Sequence, residues 1–197
     1  MLTGPNVEVL DELLPPDLKA SLCEAVSWMP MYFVNRWKRF KSHELDMHWH
    51  YPLAYDDAGH TADVEPQLLA LDDGLQAIAE CWRHVKASHQ ERLRLYECSL
   101  SANSFGTEGR IHRDMSDASE PERHRTALVY CNDEWDPNWA GETLVLDARG
   151  EITAGVMPRP GRVVKIAGDP PHVGRSVSRT CPTDRRVLIF KYWTVDR

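Results

Sequence analysis

From Leu93 to the end of the chain the hydrophobic pattern runs with a period of two, in short stretches broken by turn residues. Residues 93–100 alternate, 126–131 are almost continuously apolar, and 141–146, 162–167 and 185–193 follow. Between them lie a Gly-containing turn at 105–109, a polar loop at 117–123, a Trp-rich loop at 134–140 and Pro158-Arg159-Pro160-Gly161. A period of two places successive side chains on opposite faces of a strand. About eight short strands separated by regular turn signals predict a two-sheet jelly roll. Helical patterns precede them. Pro15-Pro16-Asp17 opens a helix carrying Leu18, Leu22, Ala25 and Val26, which Pro30 closes. Residues 64–88 read as the longest helix, with Leu68, Leu71, Leu75, Ile78, Ala79, Trp82 and Val85 on one stripe. Gly74 weakens that helix only modestly. The expected class is α+β: a helical, substrate-shaping part over 1–92 and a jelly-roll core over 93–197, in one domain, with helices covering one sheet.

Residue usage excludes several alternatives. A formal charge of −7 argues against bulk electrostatic binding of nucleic acid. No apolar run reaches the roughly 18 residues of a spanning helix, so no membrane partner is expected. The N-terminus shows no secretory pattern. Cys23, Cys81, Cys98, Cys131 and Cys181 are odd in number and scattered, which fits reduced thiols and a cytoplasmic setting.

Chemistry concentrates in Gly109-Arg110-Ile111-His112-Arg113-Asp114. In an extended strand His112 and Asp114 would share a face. His172, in Asp169-Pro170-Pro171-His172-Val173, is placed to add a third ligand. Two imidazoles and one carboxylate on one face of a metal leave the opposite positions open, as in non-haem Fe(II) oxygenases. An H-x-D triplet alone also fits a polar strand end or an Asp-capped turn. His48 and His50 alternate in the same manner, but without an acidic partner they read as a substrate-pocket wall or core packing. Arg36-Trp37-Lys38-Arg39-Phe40-Lys41 interleaves cations with aromatics; it reads as a solvated strand with the rings packed inward, the alternative being an anion-binding run.

Taken together, the second half resembles the Fe(II)- and 2-oxoglutarate-dependent dioxygenases, in particular their prolyl 4-hydroxylase-like branch. The resemblance rests on His112-x-Asp114, the run Thr126 to Trp135, Ala140-Gly141-Glu142-Thr143-Leu144, Pro160-Gly161-Arg162-Val163-Val164, His172, and Arg185 opening a β-branched strand that ends in aromatics. It spans about Leu95 to Trp193; residues 1–92 carry no matching motif.

The resemblance implies a double-stranded β-helix core in which His112, Asp114 and His172 hold Fe(II). It implies 2-oxoglutarate as cosubstrate, O2 as oxidant, and succinate and CO2 as coproducts, with ascorbate as an additional reductant. The distal carboxylate of 2-oxoglutarate needs a cation, and the planar fork of arginine suits it. Arg185 fits that place best; Arg186 would point to the other face and Arg179 would imply a shorter connection. Tyr130 matches a tyrosine that bonds the same carboxylate, with a core role as its alternative, and Tyr96 and Asn103 are weaker candidates for the pocket rim. The carboxylate of Asp114 favours hydroxylation over halogenation. The expected reaction is hydroxylation of an unactivated C–H of a small molecule, an amino acid or natural-product intermediate. A prolyl or other protein side-chain hydroxylase is the nearest rival. A non-catalytic metal-binding jelly roll is the reading of a different class.

Overall fold

The strand that organises the molecule is the last one. In the computed structural model, which describes residues 4–34, 47–56, 61–107, 109–115 and 120–196, the elements are β1 (Val7–Leu10), α1 (Pro16–Ser27), β2 (Tyr32–Val34), β3 (His48–Tyr55), α2 (Glu65–Leu69), α3 (Gln76–Ala87), β4 (Arg92–Asn103), β5 (His124–Tyr130), β6 (Thr143–Leu146), β7 (Ile152–Val156), β8 (Val163–Ala167), β9 (His172–Gly174) and β10 (Arg185–Val195). The long β10 pairs antiparallel with β4 on one side and β5 on the other. It thereby sits at the middle of a seven-stranded sheet ordered β1-β8-β5-β10-β4-β3-β2. A smaller sheet, β7-β6-β9, faces it. This is the predicted α+β jelly roll, widened by β1, β2 and β3 from the N-terminal part.

Alternation along β10 divides the core in two. Leu188, Phe190 and Tyr192 join Leu22, Val26, Ile78, Trp82 and Val85 in the cluster beneath the helices. Trp82 of α3 lies 5.4 Å from Phe190 and 5.3 Å from Tyr192, ring centre to ring centre. Each such side chain contributes about 1.5–3 kcal/mol by leaving water. Val187 faces the other way and packs with Leu128, Tyr130, Val145, Val156 and Ile166 between the sheets. Chemistry-bearing residues occupy the ends of that second interior.

Two expectations need correction. The single helix over 64–88 is broken: α2 and α3 are separated by a 3-10 turn at Asp73–Leu75. Asp72 is extended there, with ψ 155°, and the run Asp72-Asp73-Gly74 joins poor helix formers to a glycine, so the turn wins over the apolar stripe. The strand expected through His112 and Asp114 also does not form. His112 makes only an isolated bridge to His172. The cation-rich run 36–41 lies outside the described residues. No helix among the described residues is long and apolar enough to cross a membrane.

Candidate metal centre and cosubstrate pocket

The bridge between His112 and His172 does what the predicted strand would have done. The two residues exchange backbone hydrogen bonds, His112 N to His172 O at 3.0 Å and His172 N to His112 O at 2.9 Å. Their rings come to 4.5 Å, centre to centre. Each ring is oriented by its other nitrogen. Nδ1 of His112 donates to the Arg110 carbonyl at 2.8 Å, and Nδ1 of His172 donates to the Pro170 carbonyl at 3.1 Å. A carbonyl can only accept, so each Nδ1 carries a proton, and in the neutral imidazole that leaves Nε2 bare, the arrangement that metal-bound histidines require.

Both bare nitrogens face Asp114. Nε2 of His112 is 3.9 Å from its Oδ1 and Nε2 of His172 is 3.7 Å from its Oδ2. One ligand atom from each of the three residues lies within 4.8 Å of the other two. An ion holding N and O donors at about 2.1 Å fits between atoms so spaced. The two backbone-held histidines and the single carboxylate are also the right donor set for Fe(II). Asp114 and His172 are buried, while the side chain of His112 is 50% exposed, so the cluster opens on the His112 side.

Asp114 is held from several directions. Thr126 on β5 donates to Oδ2 at 2.6 Å. The carboxylate of Asp169 accepts from the backbone N–H groups of Asp114 and Met115, at 2.8 and 3.3 Å. Arg113 donates to the Asp169 carbonyl. Lys191 on β10 places its ammonium 3.1 Å from Oδ1 and pairs also with Glu97 at 3.2 Å. Burial works against the Asp114 anion, yet Lys191 first, and then His172 and His112, hold its pKa well below the carboxylate range. Burial lowers the His172 pKa, with Asp114 opposing, so the imidazole stays neutral as a ligand must.

A second group, Asp114, His124 and Asp169, is equally close. Its donors are already engaged. His124 donates from Nδ1 to the Gly168 carbonyl at 3.1 Å and accepts the Tyr96 hydroxyl on Nε2 at 2.6 Å. Asp169 is engaged by the backbone amides. This group is scaffolding for the first.

At the other end of the inner face, Arg185 is 3% exposed. Its Nη2 donates to Thr143 Oγ1 at 2.7 Å and its Nη1 to Asn103 Oδ1 at 3.4 Å. The guanidinium lies 5.1 Å above the Tyr130 ring. The Tyr130 hydroxyl bonds Thr143 at 2.7 Å and donates to the Val156 carbonyl at 3.3 Å. Among the described residues no carboxylate pairs with Arg185, and its Nε is buried without a partner. Space for the fork comes from Gly174, where an added Cβ would sit 3.1 Å from Nη1. Arg186 instead turns to Asp184 and the Val26 carbonyl, and Arg179 is exposed. Tyr96, expected at the pocket rim, is joined to His124 and packs at a tilt against Trp193, whereas Arg185 gathers Asn103, Thr143 and Tyr130. His48 and His50 lie on β3, with His50 opposite Ser101 of β4. Burial, opposed chiefly by Glu97, brings the His50 pKa down to about 4, so it is a neutral polar wall near the Glu97–Lys191 pair.

Sequence reasoning missed Asp169, Thr126, Glu97, Lys191 and Thr143. Only Lys191 had a legible signal: one charge at an inward position of an otherwise apolar strand.

The model of the family described as the 2OG-Fe(II) oxygenase superfamily matches residues 98–194, which contain His112, Asp114, His172 and Arg185. The chain belongs to that superfamily. It is therefore a 2-oxoglutarate-dependent oxygenase, of a family that uses Fe(II) and 2-oxoglutarate. No curated protein sequence matches the chain. Among solved structures it is similar to a 2OG-Fe(II) oxygenase family oxidoreductase from Burkholderia pseudomallei, with TM-score 0.71 and 14% identity, covering 95% of this chain and 85% of that one. It is similar also to a prolyl hydroxylase from Trichoplax adhaerens in complex with a hypoxia inducible factor peptide fragment, with TM-score 0.68 and 12% identity over 96% and 84%. HygX from Streptomyces hygroscopicus, with nickel and 2-oxoglutarate bound, gives TM-score 0.53 and 18% identity over 96% and 83%. At these identities the likeness is one of fold.

Proposed function

We propose that this oxygenase hydroxylates an unactivated C–H of a small molecule, an amino acid or natural-product intermediate. His112, Asp114 and His172 would hold the iron, and Arg185, with Thr143, Asn103 and Tyr130 around it, the distal carboxylate of 2-oxoglutarate. The observation that carries the reading is the pairing of two features on one inner face. One is a set of three donors with bare nitrogens and an ionised carboxylate. The other is a buried guanidinium with neutral partners only. When bound, iron and 2-oxoglutarate supply the means to insert one oxygen atom of O2 into the substrate, with succinate and CO2 as coproducts; ascorbate serves as reductant.

The chain's own residues bind, orient and exclude. Arg185 fixes one end of the cosubstrate by a charge-assisted pair in a dry site. The Arg110 and Pro170 carbonyls fix the histidine tautomers. His50, neutral and half-buried, with Ser99 and Ser101 on the adjoining strand, supports a polar rather than a greasy substrate. The scattered free thiols support a cytoplasmic setting.

Succinate formation with Fe(II), 2-oxoglutarate and O2 tests the reading. Slow turnover is expected without added substrate. Asp114→Ala should abolish it by more than about a hundredfold, beyond the loss of an outer partner of a ligand. Absence of turnover in the unaltered protein overturns the proposal. Hydroxylation of a protein or peptide side chain is the second reading, supported by the fold likeness to a prolyl hydroxylase with a bound peptide. Mass spectrometry of free amino acids against proline-containing peptides as substrates separates the two.

A further inference from the structure

A cation sits against the carboxylate that should bind another cation. The Lys191 ammonium is 3.1 Å from Oδ1 of Asp114 and 3.2 and 3.3 Å from the two oxygens of Glu97. Ser99 donates to Glu97 at 3.2 Å. Lys191 and Glu97 are each 16% exposed and Asp114 is 3% exposed. The inward neighbours of Lys191 on β10 are Val187 and Ile189, which pack in the apolar interior. A buried ammonium is costly unless fully paired, and an apolar residue would serve packing better here. The two oxygens of Asp114 are also held differently: Oδ2, 3.7 Å from His172 Nε2, by the neutral Thr126 hydroxyl at 2.6 Å, and Oδ1, 3.9 Å from His112 Nε2, by a full positive charge.

An oxygen that already neutralises an ammonium is the poorer donor to a second cation. We propose that Lys191, anchored by Glu97, is a positioning residue that keeps Oδ1 of Asp114 out of the metal's coordination shell and leaves Oδ2 as the single ligand oxygen. This rests on the reading of His112, Asp114 and His172 as metal ligands. Its consequence is room. Two imidazole nitrogens and one oxygen leave three positions of an octahedral ion open, whereas a carboxylate bound through both oxygens would close one of them.

The test uses Mn(II) binding to the metal-stripped full chain by calorimetry, followed by 2-oxoglutarate binding to the Mn(II)-loaded protein. Lys191→Met frees Oδ1 and removes a positive charge. Mn(II) should bind about tenfold tighter, while 2-oxoglutarate binds about tenfold weaker, because a positive charge beside both has gone. Glu97→Gln leaves the ammonium uncompensated beside the site, so Mn(II) should bind about tenfold weaker. Lys191→Arg keeps the charge and should hold both affinities within about threefold. A merely structural Lys191 would lower the unfolding temperature of its variants and leave both affinities of the folded protein unchanged, which overturns the proposal. So does a Lys191→Met protein that loses Mn(II) and keeps 2-oxoglutarate affinity. Should Lys191→Met fail to fold, Glu97→Gln decides: unchanged or tighter Mn(II) binding overturns it. Asp114→Ala checks the underlying reading separately. Loss of Mn(II) binding upholds the ligand set whatever Lys191 does, and retained binding sinks both.

Discussion

Two arginines are buried among the described residues, and they meet opposite circumstances. Arg162, 1% exposed, precedes β8 and grips Asp11 with Nε at 2.6 Å and Nη2 at 2.8 Å, while Nη1 donates to the Met157 carbonyl at 2.7 Å. All three of its nitrogens are matched. Arg185, almost as buried, has two neutral partners, an aromatic ring and an unpartnered Nε. Burying a guanidinium without a counter-charge costs several kcal/mol, which folding alone has no reason to accept. A buried cation whose anion is part of the chain is architecture; one whose anion is missing is a place for a ligand. Here the first clasps the segment after β1 to the large sheet, and the second stands at the end of the inner face proposed for the cosubstrate.

The largest expected effect separates them. Arg185→Met should weaken 2-oxoglutarate binding to Mn(II)-loaded protein by about a hundred- to a thousandfold, the loss expected when one partner of a buried charge pair is truncated. It should leave the fold as stable as before, or more so, because an unpaired buried charge disappears. Arg185→Lys should recover part of the affinity, since lysine offers charge without the fork. In thermal unfolding, 2-oxoglutarate at a hundredfold over its Kd should stabilise the unaltered protein by about 2.7 kcal/mol and Arg185→Met hardly at all. Unaltered binding with a large loss of stability would make Arg185 a second Arg162 and remove the distinction.

The complementary change is Asp11→Asn. It strands Arg162 without its anion, and the expected loss is about 2 kcal/mol, reduced from that of a fully buried pair because Asp11 is 38% exposed. The side-chain bond from Arg162, against the pull of burial, lowers the Asp11 pKa below its ordinary 3.8. A depressed carboxylate stabilises the fold fully above its unfolded value. That contribution fades as pH falls from about 3.8 through the lower folded value. Denaturant midpoints across that window should show the fading in the unaltered protein and not in Asp11→Asn. Affinity of the folded variant for 2-oxoglutarate should not change, and a change would tie the clasp to the site.

The contrast between the arginines also explains what the bare sequence could tell. Parity along β10 was legible: with Val187 inward, Arg185 had to be inward and Arg186 outward, as the structure has them. The apolar stripe under α3 was legible because packing on Phe190 and Tyr192 follows from spacing alone. The surroundings of Asp114 were not. Two-residue spacing puts side chains on one face only in a strand, but the segment is shaped by Asp169, whose carboxylate caps two amides 55 and 54 residues back in the chain. No local period records a contact made at that distance. The break between α2 and α3 was misread for the opposite reason. An apolar period survived through Asp72-Asp73-Gly74, while the backbone preferences of those three residues did not support a helix.

His50 sharpens the comparison with a third solution to burying a base, which is to carry no charge. Desolvation brings its folded pKa to about 4 from an ordinary 6.5, with Glu97 opposing. In the unfolded chain the imidazole therefore takes up a proton first as the medium is acidified. The folded state loses stability as pH falls from about 6.5 towards 4, and the loss is constant below that. At pH 5 this one group should account for about 2 kcal/mol relative to neutral pH. His89, His124 and His172 are lowered in the same direction, so acid sensitivity persists without His50. The measurement is the difference between the unaltered protein and His50→Asn in urea midpoint at pH 7 and at pH 5. The variant should lose less on acidification. Equal losses would mean that His50 meets the proton as readily folded as unfolded, and that the wall beside Glu97 and Lys191 is open to water.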